Sequence, residues 1–389
     1  MIFHIERRRQ VKKVFRAIWE YLKSIDKLLM LFCLIASSIS LVMLYSIIHN
    51  GFLSNKKLLI IQAVAIALGI AAAIIVSLFD YHTLAKLWKI YTPAALFLVL
   101  LTFTPLGITR AGSDDKAWLS LFGITTLQPS ELLKIAFVFT FALHLQAVRR
   151  DINHPRNILL LCLHGAAPTL LIMAQGDFGS ALVFLFIFIV MLFTAGISWK
   201  YVLGGIAAAA VVAPIVWNFV LPDYLQKRIL IAFHPELDPM GTGYHQIRGR
   251  IALGSGQIFG RGLFSDNLFV PPEVYNDFIF SYIGQTLGFV GCVGVTLLLS
   301  LLCVKMLLVA RMSRDPLGCY LCAGVFAIFI FQTVVNIGMV LCLLPVIGIT
   351  LPLISSGGTS VVTSYLAIGI VLSVYRKNKK KTMFESRGY

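Results

Sequence analysis

Leu58-Leu59-Ile60-Ile61-Gln62-Ala63-Val64-Ala65-Ile66-Ala67-Leu68-Gly69-Ile70-Ala71-Ala72-Ala73-Ile74-Ile75-Val76-Ser77-Leu78-Phe79 runs without a charge between Lys56-Lys57 and Asp80. A hydrocarbon core about 30 Å thick is crossed by about 20 apolar residues in a helix, so this run reads as a membrane span. Nine more runs of the kind lie at 28–49, 88–106, 129–147, 157–174, 179–197, 201–221, 278–304, 317–342 and 352–375. Lipid cannot satisfy backbone hydrogen bonds, so the spans must be helices, and the alternation of an outer-membrane barrel is absent. With 58% hydrophobic and 13% charged residues, the expected fold is all-α. It is a polytopic membrane helix bundle of about ten transmembrane helices with one large extracytoplasmic loop, residues 222–276.

Lysine and arginine orient the spans. With both termini in the cytoplasm, 8 basic residues precede the first span, 6 follow the last and 9 fall in inside loops, giving 23 inside against 9 outside, with Lys134 inside a helix. This is the positive-inside pattern of a multi-pass membrane protein. It also accounts for the net charge of +16: the expected partners are anionic membrane lipids, not nucleic acid. Residues 1–27 form a basic segment with Val11, Val14, Phe15, Ile18, Trp19, Leu22 and Ile25 at helical spacing, suited either to the membrane interface or to a plain topology signal. No cleavable signal peptide is evident. Residues 28–375 form the membrane domain and 376–389 a basic cytoplasmic tail. The seven cysteines and eight histidines show neither a disulfide framework nor metal-ligand spacing.

Four polar stretches break the apolar pattern. The large loop closes on Pro271-Pro272-Glu273-Val274-Tyr275-Asn276-Asp277 at the start of the eighth span, where Asp277 fits either a helix N-cap or a catalytic carboxylate. Gln128-Pro129-Ser130-Glu131 opens the fourth span, and Glu131 and Lys134 share a helix face. They either complement the helix end or line a polar cavity opening outward. Asp177, in Gln175-Gly176-Asp177-Phe178-Gly179, suits an N-cap of the sixth span. Leu344-Pro345 through Pro352 to Ser355-Ser356-Gly357-Gly358 implies broken or re-entrant backbone facing the same cavity. The glycine series Gly254 to Gly262 follows no strand and faces outward, so close backbone packing fits it better than nucleotide binding.

These runs, with Gly241-Thr242-Gly243-Tyr244-His245, Ile251-Ala252-Leu253-Gly254-Ser255-Gly256 and Val335-Asn336-Ile337-Gly338-Met339-Val340, occur in an order that resembles the SEDS family of shape, elongation, division and sporulation proteins. The resemblance covers nearly the whole chain from the first span. Asp238 to His245 and Asn336 to Val340 look more like the elongation branch, RodA, than the division branch, FtsW. It implies a peptidoglycan glycosyltransferase that polymerises lipid II on the outer face of the bacterial plasma membrane. It also implies an essential carboxylate at Asp277, further cavity residues at Trp118, Glu131, Lys134 and Asp177, and a loop acid at Glu273. A class B penicillin-binding protein and other elongation-complex proteins are the implied partners.

The chemistry suits these residue types. An acceptor hydroxyl attacks an anomeric carbon while a lipid diphosphate departs, which requires a base and positive charge. Burial against Phe278, Ile279 and Phe280 would raise the Asp277 pKa and a helix N-terminus would lower it. Arg248, Arg250 and Arg261, with Arg110 and Lys116, are the outer cations for the diphosphate, and a divalent ion, Mg or Mn, could assist. Tyr244, Ser355, Gly357 and Gly358 complete the expected substrate-binding set. The sequence departs from the family at Ala111 to Lys116, Gly176, Arg248-Gly249, Gln285-Thr286 and Ser356, which bears on fine substrate contacts. A lipid II flippase or a non-catalytic scaffold for wall assembly is the alternative reading.

Overall fold

A computed structural model describes residues 19–385 apart from 54–55, 110–114, 122, 124, 220–222, 242 and 270–272. Most of the N-terminal amphipathic segment, Arg110 and the end of the basic tail therefore lie outside the described residues. The helices are α1 (Lys27–His49), α2 (Lys57–Leu78), α3 (Tyr81–Lys86), α4 (Trp88–Leu101), α5 (Pro129–Ala147), α6 (Pro155–Ala174), α7 (Phe178–Ala195), α8 (Trp199–Phe219), α9 (Asp223–Phe233), α10 (Tyr244–Ser255), α11 (Ile279–Met312), α12 (Pro316–Val340) and α13 (Gly358–Glu385). Among the described residues nine, all except α3, α4, α9 and α10, are long and apolar enough to cross a membrane.

The third expected span, 88–106, is helical only to Leu101. The hydroxyls of Thr102 and Thr104 turn back onto the carbonyls of Val99 and Leu101 at 2.7 and 2.6 Å, and Pro105 follows. Fourteen residues reach about 21 Å, short of a full crossing. Beyond it lies an element the all-α expectation did not include. Strands β1 (Gly107–Ile108), β2 (Trp118–Leu121) and β3 (Thr125–Leu127) form an antiparallel sheet in that order, pairing Gly107 with Leu119 and Leu119 with Leu127. The large loop is likewise structured, by α9 and α10.

Small residues set the helix packing, as expected where hydrocarbon removes any hydrophobic preference between helices. A Cβ on Gly69 of α2 would stand 2.7 Å from the Tyr365 ring of α13, and one on Gly369 would stand 2.9 Å from Ala73, so α2 and α13 lie backbone against backbone. Helix α1 is capped by Asp26, which accepts from the amides of Leu28 and Leu29 and pairs with Lys305 of α11 at 2.7 Å.

Helix α11 is broken at Gly288 (φ 69°, ψ −165°). A break at membrane depth must have its backbone groups satisfied by protein, and the glycine series does this. Phe289 and Val290 donate to the carbonyls of Gln257 and Ile258 at 2.8 and 3.1 Å, while Arg261 and Gly262 donate to Gln285 and Thr286 at 2.9 and 3.0 Å. A Cβ on Gly288 would come within 2.3 Å of the Gly260 nitrogen, so only glycine fits this crossing. The segment between α12 and α13 is non-helical from residue 341 to 357, with positive φ at Cys342, Gly348 and Leu353. The last span therefore starts at Gly358 and not at 352.

Candidate active site

The singled-out residues gather at the end of the bundle opposite the chain termini, where α5, α7, α11 and α13 begin and α12 ends. Their centre is the turn 273–278. It is closed by the amides of Asn276 and Phe278 donating to the Glu273 carbonyl at 3.0 and 3.3 Å. Glu273 stands at φ 53°, a left-handed conformation that non-glycine residues adopt at a cost of about 1–2 kcal/mol. Strain of that kind persists where surrounding structure over-determines it.

Here the surroundings hold three successive carbonyls. The Ser356 amide donates to Tyr275 at 2.8 Å, the Ser355 hydroxyl to Asn276 at 2.7 Å, and the Asn336 side-chain amide to Asp277 at 2.9 Å. Asn336 also donates to the Ile349 carbonyl at 2.7 Å, so one buried amide joins α12, the turn and the broken segment. Gln62 holds that segment from below: it donates to the Ser355 carbonyl at 3.3 Å and to Ser40 at 2.9 Å, and accepts from the Gly357 amide at 3.2 Å. Ser355 and Gly357 therefore serve the scaffold beneath the turn, and Gly358 is the first residue of α13.

Asp277 is half-buried. The N-cap position of α11 is Phe278, and no side chain caps it, so the carboxylate is not used as a helix cap. A Cβ built on Gly348 (φ 70°) would lie 3.9 Å from Asp277 Oδ2, which places the carboxylate against Ile347-Gly348-Ile349. The other side of the same strip meets Gly179, where a Cβ would be 2.2 Å from the Ile347 oxygen. Asp177 caps that helix, accepting from the Ser180 amide at 2.8 Å, and takes a second bond from Gln128 Nε2 at 3.0 Å. The strip 347–349 thus lies between the two aspartates.

Helix α10 forms a further wall. Gln246 donates to the Leu344 carbonyl at 3.2 Å, and Gly249 lies so near Phe278 that a Cβ would be 2.7 Å from its ring. The His245 ring stacks on Phe278 with centroids 6.1 Å apart. Burial pushes the His245 pKa down from the usual imidazole value, and the Glu273 charge pulls it partly back. Glu273 itself accepts from Asn276 Nδ2 at 2.9 Å. Arg248 lies 5.1 Å from the Tyr244 ring and 4.3 Å from the Phe269 ring, a cation–π arrangement that holds the guanidinium on this wall. Arg250 and Lys116 are exposed, and Trp118 lies half-buried on β2. Arg261 bonds the carbonyls of Ser255 and Asn267 at 3.0 and 2.9 Å, so it braces the glycine loop.

Glu131 and Lys134 do not face an open cavity. They pair at 2.7 Å with 7% and 1% of their surface exposed, and the second Glu131 oxygen accepts from Thr363 at 3.1 Å. The void beside them is about 10 Å³, room for about one water. For a divalent ion, the turn offers the Asp277 carboxylate and the Asn276 amide oxygen, and α12 the amide oxygen of Asn336; both amide oxygens are buried without a donor. These are hard oxygen ligands of the kind Mg and Mn take. Among the described residues no three His, Cys, Asp or Glu side chains converge on a metal position. Asn336 and His245 stand in the sequence only within longer runs, and Gln62 as a lone amide in an apolar span; none of the three carries a local signal of its role here.

This is a polytopic helical membrane protein with a carboxylate-bearing turn, clamped by a broken intramembrane segment, at one end of its bundle. It belongs to the FtsW/RodA/SpoVE family of cell cycle proteins, which it matches over residues 26–380. The chain is 33% identical over 297 residues to the peptidoglycan glycosyltransferase MrdB of Escherichia coli K12, covering 75% of this chain and 79% of MrdB. It is also 33% identical over 375 residues to the probable peptidoglycan glycosyltransferase FtsW of Geobacter metallireducens, covering 91% and 95%. A solved chain from a peptidoglycan synthase complex that coordinates polymerization and crosslinking superposes with a TM-score of 0.78 at 29% identity, covering 91% of this chain and 98% of that one. The rod shape determining protein RodA of Thermus thermophilus superposes at 0.67 and 27%, covering 91% and 97%.

Proposed function

We propose that this protein is a peptidoglycan glycosyltransferase that polymerises lipid II, with Asp277 as the base. The observation that carries this reading is the carboxylate at the head of α11, unused as a cap and presented by a turn whose three neighbouring carbonyls are each held. Such fixation is what a general base needs, because geometry within about 0.5 Å separates a productive site from an idle one.

In the reaction the acceptor hydroxyl gives its proton to Asp277 as its oxygen bonds the anomeric carbon. The bond from that carbon to the diphosphate oxygen breaks with its electron pair leaving on the diphosphate. Arg248, fixed between two rings, and exposed Arg250 supply positive charge for the anion. A divalent ion held by the oxygens of Asp277, Asn276 and Asn336 would add to that charge when bound. Glu131 with Lys134, and Asp177 with Gln128, act by holding α5, α7 and α13 in register around the site.

The proposed setting is the bacterial plasma membrane with both termini cytoplasmic, as the lysine and arginine distribution supports. The proposed partner is a class B penicillin-binding protein, in keeping with the synthase complex from which the similar chain was solved. We assign the elongation branch on Asp238 to His245 and Asn336 to Val340. The test combines purified protein, lipid II and the partner transpeptidase, with Asp277→Asn in parallel. Glycan strands from the unmodified protein alone support the enzyme. Lipid translocation without polymer, unaffected by the substitution, supports the flippase instead.

A further inference from the structure

At the end of the bundle that carries the chain termini, several charges are satisfied in pairs. Lys377 lies 2.6 Å from Asp80 and His82 Nε2 lies 2.9 Å from Asp315, while Lys305 binds Asp26. Arg149 and Arg150 differ. They form the short turn Arg149–Asp151 after α5, both are exposed, and among the described residues neither side chain is seen in a hydrogen bond or ion pair. With Gln146, Ala147, Asp151 and Pro316 they border a cleft of about 700 Å³, well within the range of ligand sites. The far wall is the start of α12, where Asp315 occupies the N-cap position without capping because its carboxylate is engaged by Tyr81 and His82. The positive end of that helix therefore adds to the two guanidiniums.

We propose that this cleft binds the headgroup of an anionic phospholipid bearing two phosphates. Its depth identifies a lipid: α5 ends and α12 begins here, so the arginines lie at the level where membrane helices meet headgroups. The arginine fork matches phosphate oxygens pairwise. Two guanidiniums against the single carboxylate of Asp151 leave the cleft net positive, and that attraction grows with ligand charge, so a headgroup with two phosphates, one for each arginine fork, is held more strongly than a monoanionic diester. The site lies at the opposite end from Asp277, and the inference is independent of the reaction assigned there.

The test uses the full chain in detergent, titrated with cardiolipin, phosphatidylglycerol or phosphatidylcholine, with bound lipid counted by native mass spectrometry. Arg149→Gln/Arg150→Gln is compared with Lys86→Gln/Lys89→Gln, which removes the same charge from exposed residues at the same end. Cardiolipin affinity is expected to fall about thirtyfold in the arginine variant, about fivefold for each charge, and to change less than about threefold in the lysine variant. Equal losses in both variants, or none in the arginine variant, overturn the site. Displacement of the lipid by millimolar inorganic pyrophosphate overturns the lipid assignment in favour of a soluble anion. Should the glutamine variant fail to fold, Arg149→Lys/Arg150→Lys keeps the charge and removes the fork. Affinity that is unchanged in it overturns the proposal, and a severalfold loss supports it.

Discussion

Replacing Asn336 by leucine removes one buried amide and leaves its size nearly unchanged. The side chain is fully buried and donates to Asp277 at 2.9 Å and to Ile349 at 2.7 Å. Both carbonyls lose this donor, and an unsatisfied buried acceptor costs about 1–3 kcal/mol, so the variant is destabilised by about 2–6 kcal/mol. That is within the stability of an ordinary domain, about 5–15 kcal/mol, and folded protein remains to be assayed at low temperature. The effect on turnover has a different origin. Without the amide the turn loses its link to α12, and a displacement of about 1 Å in a reacting group costs about 100-fold. Thermal unfolding and the initial rate of lipid II polymerisation are measured on the same preparation. A lowered melting temperature with a rate within about threefold of the parent would refute a positioning role and leave Asn336 as a structural contact only.

Three other substitutions probe the surroundings. Gly348→Ala places a side chain at φ 70°, which costs about 1–2 kcal/mol of stability, and it is expected to slow polymerisation about tenfold by moving the strip facing Asp277. His245 has a pKa below that of the unfolded chain, so the unfolded state binds more protons as the pH falls. Stability is therefore full above about pH 6.5 and declines below it, and His245→Gln should flatten that decline in pH-dependent melting. Glu131→Gln leaves Lys134 buried without its counter-charge and should cost about 3–5 kcal/mol, while Glu131→Leu with Lys134→Met should recover most of the loss. Melting curves of the single and double variants decide this.

The spans were legible because an uncharged run of membrane length is a local property, needing no knowledge of partners. Asp277 was legible as a carboxylate where polar loop meets apolar helix, but whether it caps α11 depended on where the helix begins, one residue later than a cap would require. The sheet was not legible: strands of two to four residues are too short to show alternation. Gln62 stands as the one amide in an otherwise apolar run. Its reason is the backbone of Ser355 and Gly357, nearly 300 positions away. The same holds for Asn336 and for the glycine loop, whose partner is the break at Gly288. In each case the residue type announced a constraint, and only the folded arrangement supplied what it constrains. Glu131 and Lys134 show the converse, since polar residues at membrane depth can satisfy each other as well as line a pathway.

The most direct measurement is the initial polymerisation rate of Asp277→Asn, assayed with lipid II and the partner transpeptidase beside the unmodified protein. The amide keeps the shape of the side chain and removes its basicity. A rate at least about a thousandfold lower, with an unchanged melting temperature, is the predicted result. A rate within about tenfold of the parent would contradict the assignment of Asp277 as the group that takes the sugar's proton.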